Sequence, residues 1–363
     1  MRRIAAALGA VLLLVGCSRS LPPANTPPAV AANREEIEST VFLIGDAGAP
    51  ARKEPVLAAL RSQIEDAPGI AVVVFLGDNV YPRGLPDSTA ADQAEAERRL
   101  RAQVAVATET RTRTIFVPGN HDWAYMTADG WNAIRRQGDF IAREGAPYAR
   151  LLPDGGCPGP EVVDVGVRIR LVLLDTQWWL HHHRKPYGAG SPCPTKTRRQ
   201  VLAALDSVLE EAGGRNVVVA AHHPLRSGGK HGGHFGRRAY LLPLIPLARR
   251  QGASDQDLSG PRNAQMREAL VSVLRRHRPL VYASGHDHDL QVLEGLGARH
   301  LLVSGTGIYG HVSAVAWRSY TRYAAALSGF MRLDVLKDGR VRLGVVTVER
   351  DGEPTERYSA WLR

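Results

Sequence analysis

Cysteine is scarce in this chain, with three in 363 residues, too few for a site of four thiolates. A thiolate-held structural zinc site is thereby excluded. Apolar runs long enough to cross a bilayer are missing as well, since the longest, Ile4 to Val15, falls well short of about 20 residues. There is no internal repeat. The glycine-rich stretch 227–236, SGGKHGGHFG, lacks the Gly-Lys-Ser/Thr of a phosphate-cradling loop and reads as a flexible lip. Basic residues outnumber acidic ones, 46 to 36, for a formal net charge of +10. They are dispersed, without interleaved aromatics or a basic helix face, so nucleic-acid binding is disfavoured. Attraction to an anionic membrane surface or to anionic substrates accounts for the charge equally well. What remains is globular composition, 44% hydrophobic and 23% charged, at a length that suits one large domain or two small ones.

The first residues, MRRIAAALGAVLLLVGC, join a two-arginine start to an apolar run and then Gly16-Cys17, which is the pattern of a secretory signal peptide over residues 1–16. Leu14-Val15-Gly16-Cys17 resembles the bacterial lipobox. That resemblance implies lipidation of Cys17 and an envelope protein facing the periplasm. Ser18, rather than aspartate, follows the cysteine, which points toward the outer membrane. Residues 17–40 are proline-rich without apolar periodicity and read as an extended tether. In an oxidising compartment Cys157 and Cys193, both in proline- and glycine-rich context, either pair as a disulfide or remain as buried free thiols.

One pattern recurs along the rest of the chain: a β-branched apolar run, a small residue, then a side chain able to bind metal. TVFLIGD ends at Asp46, AVVVFLGD at Asp78, TRTIFVPGN at Asn120, NVVVAAH at His222 and PLVYASGH at His286. Helical periodicity fills the intervals at 52–66, 91–107, 130–144, 197–212 and 263–277. Alternation of this kind predicts an α/β fold with sheets covered by helices and ligands gathered at the carboxyl ends of the strands. Residues 329–349 read as a hairpin turning at Lys337-Asp338-Gly339. Residues 41–352 read as one domain, followed by a C-terminal tail at 353–363.

The run ends supply carboxylates, imidazoles, an amide and the phenol of Tyr81, a donor set for hard to borderline metals such as iron, manganese or zinc. There are more donors than one ion can use. Two ions sharing a carboxylate would accommodate them, and such pairs clamp a phosphoryl group.

The blocks GDAG (45–48), GDNVY (77–81), GNHD (119–122), VAAH (219–222) and GHDH (285–288) resemble, in order, those of calcineurin-like metallophosphoesterases. More narrowly they are similar to purple acid phosphatases, and GHDHDLQ to the small tartrate-resistant type. The resemblance implies a four-layer α/β/β/α sandwich with two mixed β-sheets flanked by helices. It implies Fe(III) on Asp46, Tyr81, His288 and a bridging Asp78, because the histidine of the superfamily's first block is replaced by Gly48. The second ion, Fe, Zn or Mn, falls to Asp78, Asn120, His222 and His286. His121 and His231 take the places of histidines that contact substrate, and Asp122 either orients His121 or is a solvated carboxylate.

The activity implied is hydrolysis of small phosphate monoesters, with hydroxide on the metals attacking phosphorus in line and a working pH below neutral. A phosphodiesterase or nucleotide hydrolase on the same site, and a non-catalytic metal-binding lipoprotein, are the alternatives. The run WWLHHHRK (178–185) matches none of the blocks and reads as a solvated or substrate-facing loop, while His223 and Asp287 read as structural.

Overall fold

Strand β1 (Ile37–Ile44) sends Val41 and Leu43 to one core and Phe42 and Ile44 to another, which is why its second half is an unbroken apolar run. The computed structural model describes residues 29–236 and 244–363; the signal peptide, Cys17 and the tether up to residue 28 lie outside the described residues. β1 runs parallel to β2 (Ile70–Phe75), β3 (Arg113–Phe116) and β4 (Ala149–Leu151). On its other side follow, antiparallel, β12 (Gly329–Leu336), β13 (Val341–Val348) and β14 (Pro354–Trp361), giving the order β14-β13-β12-β1-β2-β3-β4.

A second seven-stranded sheet is also mixed. Its parallel centre is β6 (Ile169–Leu173), β7 (Asn216–Ala220), β8 (Val281–Ser284) and β10 (His300–Ser304). Antiparallel β5 (Glu161–Val165) lies at one edge, and β9 (Leu290–Glu294) and β11 (Thr321–Ala325) at the other.

Between the sheets lies a core that includes Val41, Leu43, Val72, Ile115, Leu171, Val218 and Leu302. The outward face of the first sheet is covered by α1 (Pro55–Glu65), α2 (Gln93–Thr110) and α3 (Gly130–Gly145). Over the second pack α5 (Arg198–Glu210) and α7 (Pro261–His277), preceded in the chain by the short α4 (Thr176–Leu180) and α6 (Leu244–Arg250). Two mixed sheets flanked by helices are the layers expected. A disulfide joins Cys157 to Cys193 across 36 residues of chain.

Several boundaries and loops differ from the sequence reading. β1 begins at Ile37, inside the stretch read as tether, because the Thr40 hydroxyl bonds Asp334 at 3.2 Å and lets a polar segment enter the sheet. Within the stretch 353–363 read as a tail, Pro354–Trp361 form the edge strand β14. The segment 227–231 is no flexible lip. Gly228 N–H donates to Gln291 Oε1 at 2.8 Å and His231 N–H to Asp287 Oδ1 at 2.8 Å, pinning it to the core.

WWLHHHRK is not a solvated loop at its start either, since Trp178, Trp179, Leu180 and His181 are buried. The Asp175 carboxylate caps α4 through Trp178 N–H at 3.0 Å and accepts Trp123 Nε1–H at 2.8 Å, a partnership across 52 residues that no local pattern reveals.

Burial pushes the Asp175 carboxyl up to about 7, above its ordinary 3.8. The folded state therefore binds this proton more tightly than the unfolded chain, and its ionisation lowers stability as pH rises from about 4 to about 7. Asp175→Asn is expected to flatten the pH dependence of the unfolding midpoint in that window, as read by thermal melts at matched ionic strength.

Candidate metal centre

All five run ends meet at one mouth, at the carboxyl ends of β1, β2, β3, β7 and β8. Backbone geometry is bent to bring them there: Asp46, Asp78 and His286 have φ of 59°, 54° and 71°, left-handed values that are strained for side chains of this kind. Glycines allow the approach. A Cβ on Gly119 would lie 2.2 Å from Asp78 N, and one on Gly77, at φ 92°, would lie 2.5 Å from His222 Nδ1.

At one end of the cluster His222 Nδ1 bonds the Leu76 carbonyl at 2.8 Å, and His286 Nε2 bonds the Gln256 carbonyl at 2.7 Å. A carbonyl only accepts, so in the neutral rings both protons are committed there and the other ring nitrogens are left free to bind a cation. Those nitrogens, His222 Nε2 and His286 Nδ1, face each other at 3.1 Å and lie 2.9 and 3.0 Å from Asn120 Oδ1. Asp78 Oδ1 stands 3.4 Å from His222 Nε2. Four acceptors at this spacing repel unless a cation sits among them, and ligands about 2.1 Å from an octahedral ion are about 3 Å apart. The donors fit a metal.

The electrostatics agree. Burial opposes charge on His222, yet the Asp78 and Asp46 carboxylates prevail and push its imidazolium up to about 9, so the place attracts positive charge. Asp78 is held well below the usual carboxylate range by the His222 and His121 imidazoles despite its burial. Burial, followed by the neighbouring imidazoles of His231, His223 and His222, depresses His286 and keeps it neutral.

At the other end Asp46 Oδ1 accepts from Tyr81 Oη–H at 3.0 Å and lies 3.4 Å from His288 Nε2, which is 3.2 Å from Tyr81 Oη. Burial and then the Asp46 and Asp78 carboxylates raise the Tyr81 phenol well above its ordinary value. Only a strongly charged cation beside it would make the phenolate favourable. Asp78 lies between the ends, within metal-sharing distance of both Asp46 and His222.

Asp122 orients no histidine and is not solvated. It is fully buried and accepts from Gly119 N–H (2.7 Å), Asn79 N–H (2.8 Å), Val80 N–H (3.0 Å) and Asn79 Nδ2–H (2.9 Å), bracing the loop after β2 against the loop after β3. His223 also has a structural place, with its ring nitrogens bonded to Thr176 Oγ1 and Gln256 Oε1. Asp287 accepts the backbone N–H of His231.

His121 sits at the rim with Nδ1 on the Pro82 carbonyl and Nε2 3.8 Å from Asp78 Oδ2. The His231 ring lies 3.8 Å from that of His286, and its Nδ1–H donates to Asp257 Oδ1 at 2.8 Å. Arg249 in turn pairs with Asp257. Burial opposes its charge, but hydrogen bonds from Arg249 and His231 hold the Asp257 carboxyl below its usual range. The sequence reading missed this carboxylate, Arg249 and Gln256. Asp257→Asn, which weakens a charged hydrogen bond to His231, is expected to lower kcat by roughly 10- to 100-fold while the metal content holds.

Comparison with known proteins now adds to the geometry. The calcineurin-like phosphoesterase family matches residues 39–290. No curated protein matches the chain significantly. Among solved structures, GAP50, the anchor in the inner membrane complex of Plasmodium, superposes with a TM-score of 0.58 at 17% identity, covering 90% of this chain and 89% of its own. Purple acid phosphatase PPD1 from yellow lupin seeds gives 0.52 at 14%, covering 88% of this chain and 53% of its own. A dimetal phosphatase from Danio rerio gives 0.50 at 17%, covering 90% and 99%. At such identities the structural likeness speaks for the fold, and the family match spans most of the chain. The protein belongs to the calcineurin-like phosphoesterase family.

Proposed function

We propose that the protein is a dinuclear metal hydrolase of small phosphate monoesters that works best below neutral pH. The observation that carries this reading is the convergence of metal-binding side chains at two ends of one cluster, with the Asp78 carboxylate between them. Asp46, Tyr81, His288 and Asp78 would hold Fe(III), and Asp78, Asn120, His222 and His286 would hold Fe, Zn or Mn. Cations bound there supply Lewis-acid charge and acidify water, a trivalent ion further than a divalent one, which is the reason for an acid optimum.

The chain's own residues do the rest. His121, whose ring is fixed by the Pro82 carbonyl and packed 4.5 Å from Tyr81, presents Nε2 to the phosphoryl group or to the departing alcohol. His231, steadied by Asp257, does so from the opposite end. Tyr125, half exposed and 4.7 Å from the His121 ring, offers an aromatic surface to the leaving group. We further read the chain as held at a bacterial envelope membrane through Cys17, facing the periplasm.

The test is phosphate release by the purified full chain across monoesters, diesters and nucleotides, at acidic and neutral pH, beside a metal assay. Monoester turnover favoured in acid supports the proposal, together with a visible absorption band that Tyr81→Phe removes. Diester or nucleotide preference would reassign the substrate. Full metal loading with no turnover on any ester would leave a metal-binding protein instead.

A further inference from the structure

Besides His223, whose ring nitrogens are both bonded, six imidazoles crowd the mouth or its floor among the described residues, and five of these have at least one ring nitrogen committed to a protein partner. His121 bonds Pro82, His222 bonds Leu76, His231 bonds Asp257, His286 bonds Gln256, and His288 lies within reach of Tyr81 and Asp46. The sixth is His311. Its Nδ1 is buried without a partner, and among the described residues neither of its ring nitrogens makes a hydrogen bond. Buried polar atoms in native proteins are nearly all satisfied, so an orphan at a mouth implies a partner from outside the chain.

Placement says which end that partner occupies. The His311 ring lies 4.0 Å from His288 and 5.3 Å from Tyr81, edge-on to the phenol at 87°. His121 meets the same phenol from 4.5 Å at 71°. Both imidazoles thus pack edge-on against Tyr81, which bonds Asp46 and lies beside His288. Among the described residues, His311 is in none of the donor groups close enough to hold an ion, whereas Asp46 is grouped with Asp78 and His222.

The segment that carries His311 is fastened along its length. Tyr309 N–H donates to Glu54 Oε1 at 2.8 Å and Gly310 N–H to Ser328 Oγ at 2.8 Å. Ser313 N–H bonds the His288 carbonyl at 2.7 Å, and Ala316 N–H bonds the Gly228 carbonyl at 2.9 Å. This strap crosses the rim from the start of α1, over His288, to the segment before His231. A strap so held keeps the imidazole in place before any ligand arrives.

We propose that His311 is a substrate-contacting residue, which donates a ring N–H to a phosphoryl oxygen at the Tyr81 end and opposes His121 across the bound phosphate. The proposal rests on the phosphohydrolase reading and names a specificity element of that site. An oxygen-rich, dianionic group is the ligand the position suits. It satisfies the unpaired nitrogen, and it lies where cations held by the donors would draw negative charge.

The experiment measures binding of inorganic phosphate to the metal-loaded full chain by calorimetry, in the parent, His311→Ala and His311→Gln. Site-resolved carbethoxylation of the unaltered protein is followed by mass spectrometry with and without phosphate. The Kd for phosphate and the KM for a monoester should rise about tenfold in His311→Ala, with kcat within about threefold and both metals retained, as expected for one lost hydrogen bond to a charged group. His311→Gln should recover part of the affinity. Phosphate should protect His311 from modification in the parent. A phosphate Kd within twofold of the parent's, absent protection, or loss of a metal from the variant would each overturn the proposal, the last by making His311 a ligand. Failure of the phosphohydrolase reading looks different, because the parent itself would then release no phosphate.

Discussion

Asp78→Ala abolishes phosphate release, with an expected loss of roughly 10³-fold or more, and lowers the metal content at both ends of the cluster. The size follows from position. Asp78 is 2% exposed, stands 3.4 Å from His222 Nε2 through one oxygen and 3.8 Å from His121 Nε2 through the other, and is near enough to Asp46 to share an ion. Its removal leaves the remaining donors as two incomplete sets. His222, whose raised pKa comes chiefly from Asp78 working against burial, would no longer sit in a field that favours positive charge. Metal analysis beside a phosphate-release assay checks this, with circular dichroism to show that the variant is folded. Unchanged turnover in folded Asp78→Ala would end the two-metal reading.

The second large effect falls on a residue that touches no substrate. Asp122→Ala strands the backbone N–H groups of Asn79, Val80 and Gly119 in a dry interior. Each buried donor left without an acceptor costs about 1 to 3 kcal/mol, so the variant should lose about 3 to 5 kcal/mol of stability once the neighbouring loops relax. Denaturant unfolding measures it. Because the brace ties the loop of Asp78 to that of Asn120, metal affinity should fall with it. A variant of parental stability would mean that the loops hold without Asp122.

How much of this could be read from the chain follows from where burial makes patterns. A strand covered on both faces must be apolar throughout, so β1, β2, β7 and β8 announce themselves, and the donor that ends each one is visible as a break in the run. The edge strand β14 is another matter. Residues 354–361, PTERYSAW, keep only part of their surface buried, and their polar alternation passes for a tail. Ser39 and Thr40 are buried polar residues at the start of β1, and without their partners in view they look like linker.

Within the site, the donors lay in short blocks, whereas their supports did not. Asp257 and Arg249 reach His231 from 26 and 18 residues away, and Asp175 reaches Trp123 from 52. A hydrogen bond between distant segments leaves no periodicity. His311 had a weak signal in retrospect: a histidine in a segment otherwise of small and apolar residues, shortly after a strand of the second sheet.

One contact at the far side of the molecule bears on how the protein presents itself. Val30 N–H bonds Ser359 Oγ at 2.9 Å and the Val30 carbonyl accepts from Arg342 Nε at 2.7 Å, which fixes the chain beside the starting ends of β1 and β13. The mouth is at the opposite ends of the strands. The chain thus enters the domain at the pole farthest from the chemistry. Anything joined at Val30 would therefore meet the domain on the side away from the mouth and leave the approach to the metal donors open.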